Sequence, residues 1–130
     1  MDRFRGCLRN AWQALLAVVV LGSLPVAADA AGMLFKNDTN QTIYVQGSSL
    51  LGGKIVRGPL LQIPPGKMMW DAPVPKGDRH IKITDGANRV LYDYVIRFDG
   101  VDACYTWMPV MQPKGPAKME LVPTKLPTGQ

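Results

Sequence analysis

This 130-residue sequence has few of the residues that build metal centres and active sites. It holds one histidine, His80, and two cysteines, Cys7 and Cys104. A blue-copper site needs two imidazoles and a thiolate, and structural zinc needs four nitrogen or sulfur ligands, so neither can form here. Gly-x-Ser-x-Gly, phosphate-loop and His-Glu-x-x-His motifs are also missing. The composition still permits a catalytic Cys104–His80–Asp arrangement or a catalytic pair of carboxylates. No local sequence motif supports either of them. We expect a protein that is not an enzyme and carries no cofactor.

The first thirty residues are typical of a secretory signal peptide. Arginines at the start of the chain precede an uncharged apolar run over 14–24, and Ala28-Asp29-Ala30 has the small-x-small pattern of a cleavage site. A run of about 11 residues is roughly half of what a helix needs to cross a bilayer. We therefore expect cleavage after Ala30, with Ala28 as the alternative, and a secreted or periplasmic protein without a membrane span.

Cleavage would remove Cys7 and leave Cys104 with no cysteine in its own chain. The processed protein would then hold no internal disulfide, although its compartment permits one. Stability must come from packing instead. Cys104 is either buried and inert or paired between chains, and its neighbours Tyr105 and Trp107 favour a buried strand position.

Helical periodicity is nearly absent from residues 31–130. Gly and Pro interrupt the chain every few residues, and no window of eleven or more keeps a 3.6-residue period. Short alternating segments between turn sequences predict seven or eight strands instead. The predicted strands cover 34–36, 42–46, 60–63, 67–71, 80–84, 89–98, 104–108 and 118–122, with a loop over 47–58 that could include a strand at 54–56.

This spacing is typical of a small antiparallel β-sandwich, immunoglobulin-like or jelly-roll-like, over 31–123. Residues 124–130 are predicted to form a flexible tail. Alternation places His80 and Lys82 in solvent. The residues predicted to be largely buried are Ile43, Val45, Ile81, Ile83, Tyr92, Tyr94 and Ile96.

Two residues are candidates for ligand binding. Tyr44 shares the polar face of its strand with Thr42 and Gln46, so its ring is the best candidate for stacking against a sugar. His80 points away from the apolar face of its own strand, and a solvated surface histidine is its simpler interpretation. The chain is expected to be a non-catalytic binding or structural module, whose envelope or extracellular ligand is a glycan or a protein surface.

The sulfur-containing side chains support an alternative function. Met68, Met69, Cys104 and Met108 lie in an exported chain, and thioether and thiolate ligands select Cu(I). The alternative is therefore an exported copper-binding protein, although methionine also fills β cores without further function. The acidic turns at 85–88 and 99–102 could hold Ca²⁺, but Asp and Asn are common turn formers.

The positive charge of the chain does not indicate nucleic-acid binding. The net charge of the full sequence is +5, and the cations after residue 30 are spread from Lys36 to Lys125. A nucleic-acid interface concentrates its cations on one face or in one run. We therefore expect no nucleic-acid partner, and the oligomeric state stays open.

Overall fold

The structure is a computed structural model that describes residues 31–127. The predicted signal peptide over 1–30 and the last three residues lie outside the described residues. Within 31–127 the protein is all β, without a helix, as predicted. No helix in this range is long and apolar enough to cross a membrane. The strands are β1 (Met33–Asn37), β2 (Ile43–Leu51), β3 (Lys54–Ile63), β4 (Met68–Asp71), β5 (Gly77–Thr84), β6 (Val90–Phe98), β7 (Ala103–Val110) and β8 (Lys118–Thr124).

The strands form two four-stranded sheets, an arrangement consistent with a β-sandwich. The first sheet has the order β4-β1-β7-β8 and the second the order β3-β2-β5-β6. Neighbouring strands are antiparallel except β1 and β7, which are parallel. The expectation of a fully antiparallel sandwich was therefore wrong for this pair. Local alternation cannot show that the first strand inserts beside the seventh.

The core lies between the two sheets. Phe35 and Trp107 come from the first sheet, and Val45, Ile63 and Ile83 come from the second. Side chains alternate across a strand, so every second residue of β2 and β5 enters this layer. The four isoleucine and valine positions predicted for these strands are confirmed as buried: Ile43, Val45, Ile81 and Ile83.

The burial predicted for β6 is wrong at one position. Tyr94 is 66% exposed, although it lies opposite the buried Ile81. Tyr92 and Ile96 are half-buried. The reason is that β6 is the outer strand of its sheet, where side chains on the inward side are only partly covered. On the other side of the sheet Lys82 is exposed, as predicted.

The segment over 47–58 is a long hairpin and not a loop. β2 runs to Leu51, and β3 starts at Lys54. Gly52 and Gly53 connect them with φ values of 58° and 81°, the left-handed conformation that a tight two-residue turn requires. Glycine and serine composition indicated a loop here, but the glycines inside the hairpin have a packing role.

Gly47 and Gly58 make room for a buried ion pair between the sheets. Arg79 Nη2 lies 2.7 Å from Asp71 Oδ2, and Nη1 donates to Ser49 Oγ at 2.8 Å. Asp71 is 1% and Arg79 2% exposed. A Cβ on Gly47 would lie 2.6 Å from Arg79 Nε, and one on Gly58 would lie 2.5 Å from Nη2. Only glycine leaves space for the guanidinium at these two strand positions.

Strand β8 extends one residue into the segment predicted as a tail. Thr124 is the last residue of β8, because the pairing with β7 continues to Cys104. Leu126 and Pro127 are half-buried, and both border a depression that Leu34 and Trp70 of the first sheet also line. These apolar residues cover part of the outward side of that sheet.

Candidate binding sites

Tyr44 lines a depression on the outward side of the second sheet. The depression has a volume of about 370 Å³ and is called the Tyr44 depression here. Strands β2, β3 and β5 and the β5–β6 turn form it. Its lining residues are Tyr44, Gln46, Leu60, Lys82, Thr84, Asp85, Gly86 and Asn88.

Hydrogen-bonding groups surround the tyrosine ring in this depression. Tyr44 is half-buried and lies directly opposite Thr84 on β5. Gln46 lies opposite Lys82, and its Nε2 donates to the Gly58 carbonyl at 2.7 Å, which orients the amide. An aromatic surface next to an amide, a hydroxyl and an ammonium group can both stack on a ligand and bond to its polar atoms.

Asp85 holds the turn at the rim of the Tyr44 depression. Its Oδ1 accepts hydrogen bonds from the backbone N–H groups of Ala87 at 2.8 Å and Arg89 at 3.0 Å. Its Oδ2 accepts one from Arg89 Nε at 2.8 Å. The backbone N–H of Arg89 is the main cause that lowers the pKa of Asp85 below its ordinary 3.8, although burial opposes this shift. The carboxylate is therefore occupied in shaping the turn.

His80 lies on the same side of the sheet as Tyr44 but outside the depression. It is opposite Ser48, and its Nε2 bonds to the carboxylate of Asp93 on β6. His80 lies four positions before Thr84 on β5, which is about 13 Å along the strand, and Thr84 is the residue opposite Tyr44. The two predicted ligand-binding residues therefore do not form one site.

A second groove, called the end groove here, lies at the end of the sandwich where β1 joins β2. It has a volume of about 440 Å³, and the loop over 38–42 lines it together with Leu91, Trp107 and Met119. Asn37 is fully buried and fixes this loop: its Nδ2 donates to the Gln41 and Ile63 carbonyls at 2.7 and 2.9 Å. Trp107 is only 3% exposed, so its ring is not available for stacking on a ligand.

Three of the four predicted sulfur ligands line a third groove, on the outward side of the first sheet. Met68, Cys104 and Met108 border this sulfur groove of about 440 Å³. Met69 does not, because it lies opposite the core residue Phe35 and therefore on the other side of β4. Cys104 is 5% exposed, as expected for a buried strand position, and its Sγ accepts a hydrogen bond from Thr124 Oγ1 at 3.3 Å.

The residues that carry the sulfur atoms are attached at widely separated backbone positions around the sulfur groove. Cys104 and Met108 are four residues apart on β7, about 13 Å along the strand. Strand β1 separates Met68 from β7, a lateral distance of about 10 Å. Lys36 lies between them, opposite both Met68 and Thr106, and lines the groove. Its ammonium group opposes a bound cation.

The buried charges and the end groove were not predicted from the sequence. Asp71 and Arg79 resemble ordinary surface residues in the sequence, and the two glycines that accommodate them were the available indication. Across residues 31–127, no three His, Cys, Asp or Glu side chains are grouped as metal ligands. No protein-family model matches the chain, and no curated protein is significantly similar to it.

Proposed function

We propose that the protein is a small exported, non-catalytic binding module that holds a carbohydrate in the Tyr44 depression. Its compartment would be the periplasm or the extracellular space, as the sequence of residues 1–30 indicates. One observation supports the ligand class: a half-buried tyrosine ring stands among an amide, a hydroxyl and an ammonium group on an outward sheet face.

The chemistry of the Tyr44 depression suits a sugar better than an apolar ligand. Sugars present C–H faces that pack against an aromatic ring and hydroxyls that exchange hydrogen bonds with amide, hydroxyl and ammonium groups. Tyrosine provides a rigid contact at low conformational cost. The end groove lacks an exposed ring, and His80 is already bonded to Asp93. The proposed site therefore centres on Tyr44 and does not include His80.

We further propose that the sandwich is immunoglobulin-like and not a jelly roll. Consecutive strands form hairpins within one sheet three times, as β2–β3, β5–β6 and β7–β8. Two interleaved Greek keys, the jelly-roll pattern, place chain neighbours mostly in opposite sheets. The immunoglobulin-like architecture is shared by many binding domains with differing strand orders.

Calorimetric titration with a panel of soluble neutral and anionic polysaccharides tests the proposed site. Tyr44→Ala should weaken binding about tenfold or more, because the stacking surface is lost. Tyr44→Phe keeps the ring and should retain most of the affinity. Trp70→Ala is the matched control, since it removes a 47% exposed ring from the other sheet. Binding that survives Tyr44→Ala but not Trp70→Ala, or no binding to any member of the panel, would contradict the proposal.

A copper-binding function is the second candidate. The observation that favours it is that Met68, Cys104 and Met108 line the same groove. Bound Cu(I) would stabilise the fold by about 2.7 kcal/mol at a hundredfold excess over its Kd. Because the sulfur-bearing residues are attached at separated backbone positions and Lys36 lies between them, we expect no change in Tm when Cu(I) is added under reducing conditions. A copper-dependent rise in Tm that disappears in Cys104→Ser would favour this candidate over the first.

A further inference from the structure

The four outer strands of the two sheets differ in how their free edges are protected. β3 contains Pro59 and β8 contains Pro123, and a proline cannot donate a hydrogen bond to an added strand. β4 is only four residues long. Short strands and prolines are common means of preventing edge-to-edge association. β6 has nine residues and contains neither proline nor lysine.

The edge of β6 is also apolar on both sides. Val95 on the outward side is 61% exposed, and Tyr94 on the inward side is 66% exposed. Within residues 31–127, β5 is the only strand that pairs with β6. A long apolar edge with unpaired backbone groups is a template for another strand. Its two charged residues contact β5, Asp93 through His80 and Arg97 through Asp78 at 3.4 Å, and a strand added at the free edge must also match their charges.

A second copy of β6 supplies that match. The pairing of β5 with β6 shifts between Ile83 and Thr84, which leaves Tyr92–Phe98 as the regular segment, with Val95 at its midpoint. Two such segments related by a twofold axis pair antiparallel with the central residue opposite itself. With Val95 on the axis, Asp93 lies opposite Arg97 of the second copy, and Arg97 lies opposite Asp93.

The same register also gives favourable residue pairs on the inward side of β6. Tyr94 then lies opposite Ile96 of the second copy, and Tyr92 lies opposite Phe98. Aromatic and β-branched residues are favourable cross-strand partners, and opposite charges directly across a pair of strands are favourable too. If the axis moved to Tyr94, Asp93 would face Val95 and Arg97 would face Leu91, so both charges would lose their opposite partners. If it moved to Ile96, Asp93 would face the like charge of Asp99, and Arg97 would face Val95. Asp93 and Arg97 keep 49% and 64% of their side-chain surface exposed, so they remain accessible.

We infer that the protein forms a symmetric dimer by antiparallel pairing of β6 with β6 of a second copy, with Val95 on the twofold axis. The second sheets of the two copies then form one continuous eight-stranded sheet. Its outward side presents both Tyr44 depressions, but the pairing itself does not depend on their ligand.

Sedimentation velocity over a concentration series, with reductant present, tests the dimer. The purified protein should show a monomer–dimer equilibrium without any added ligand. Val95→Lys places two ammonium groups opposite each other and should raise the dimer dissociation constant about tenfold or more. Val101→Lys is the control, because it introduces the same charge at a 70% exposed position outside β6 and should change nothing. Circular dichroism establishes that each variant is folded.

A charge exchange tests the register. Arg97→Asp should weaken the dimer because it sets carboxylates opposite each other, and adding Asp93→Arg should restore the dimer by recreating two opposite-charge pairs. A protein that stays monomeric at every concentration, or a dimer that tolerates Val95→Lys, would overturn the inference. A dimer that the double exchange fails to restore would overturn the register centred on Val95.

Discussion

Removing one member of the buried ion pair should destabilise the fold severely. Asp71→Ala leaves the Arg79 guanidinium 2% exposed, with the 2.8 Å bond to Ser49 Oγ as its remaining side-chain hydrogen bond. Leaving one charge of a buried pair uncompensated costs about 3–5 kcal/mol. Domains of this size have a total unfolding free energy of about 5–15 kcal/mol. Since each kcal/mol lowers the Tm by about 4–8 °C, the Tm should fall by at least about 12 °C.

Urea denaturation followed by the fluorescence of the buried Trp107 measures this loss. The double variant Asp71→Val/Arg79→Met should recover much of it, because an apolar pair of similar volume avoids the cost of burying charge. The two sites should therefore be strongly non-additive in a double-mutant cycle. An Asp71→Ala variant within about 0.5 kcal/mol of the parent, or strictly additive costs, would refute the reasoning.

Four further results are expected. Ile83→Ala should cost about 2–5 kcal/mol in urea denaturation, since it opens a cavity in the core, and a loss within error would contradict the observed burial. Gly58→Ala should lower the Tm clearly, because its Cβ would meet the buried guanidinium at 2.5 Å, whereas Gly86→Ala, with nothing within 4 Å, should not. Asp85 has a lowered pKa, so its stabilisation is present above pH 3.8 and is lost as the pH falls through that lowered value. Asp85→Asn should therefore lose less stability than the parent on acidification below pH 3.8, and equal acid sensitivity would argue against this role. N-terminal sequencing of the exported form should begin at Ala31, while recovery of an intact Met1 form from membranes would contradict cleavage.

The strands were predictable where alternation was regular. β5 and most of β6 follow a period of two over several residues, so their positions and the burial of Ile81 and Ile83 could be read from the chain. The hairpin over 47–58 could not, because Gly47 and Gly58 are glycine for packing and not for turning. The parallel pairing of β1 with β7 is non-local and leaves no local pattern.

For the candidate sites, the sequence predicted only which residues of a single strand share a side. Alternation placed Tyr44 on an outward side, but its neighbours Leu60 and Asn88 come from other segments of the chain. The separation of His80 from Tyr44 depends on the register between β2 and β5, which a single sequence does not specify. Met68 and Met69 were grouped as candidate ligands although adjacent residues of a strand point to opposite sides, and in β4 they do so.

The buried charge pair constrains more of the chain than the two residues that carry it. Asp71 and Arg79 require glycine at 47 and 58, since any Cβ there would collide with the ionic groups, and Ser49 supplies the remaining bond. None of these positions can change alone without cost, whereas the exposed residues around them can. Distant relatives of this chain should therefore be recognisable by a spaced pattern, Gly-x-Ser followed by Gly, Asp and Arg, even where overall identity has been lost.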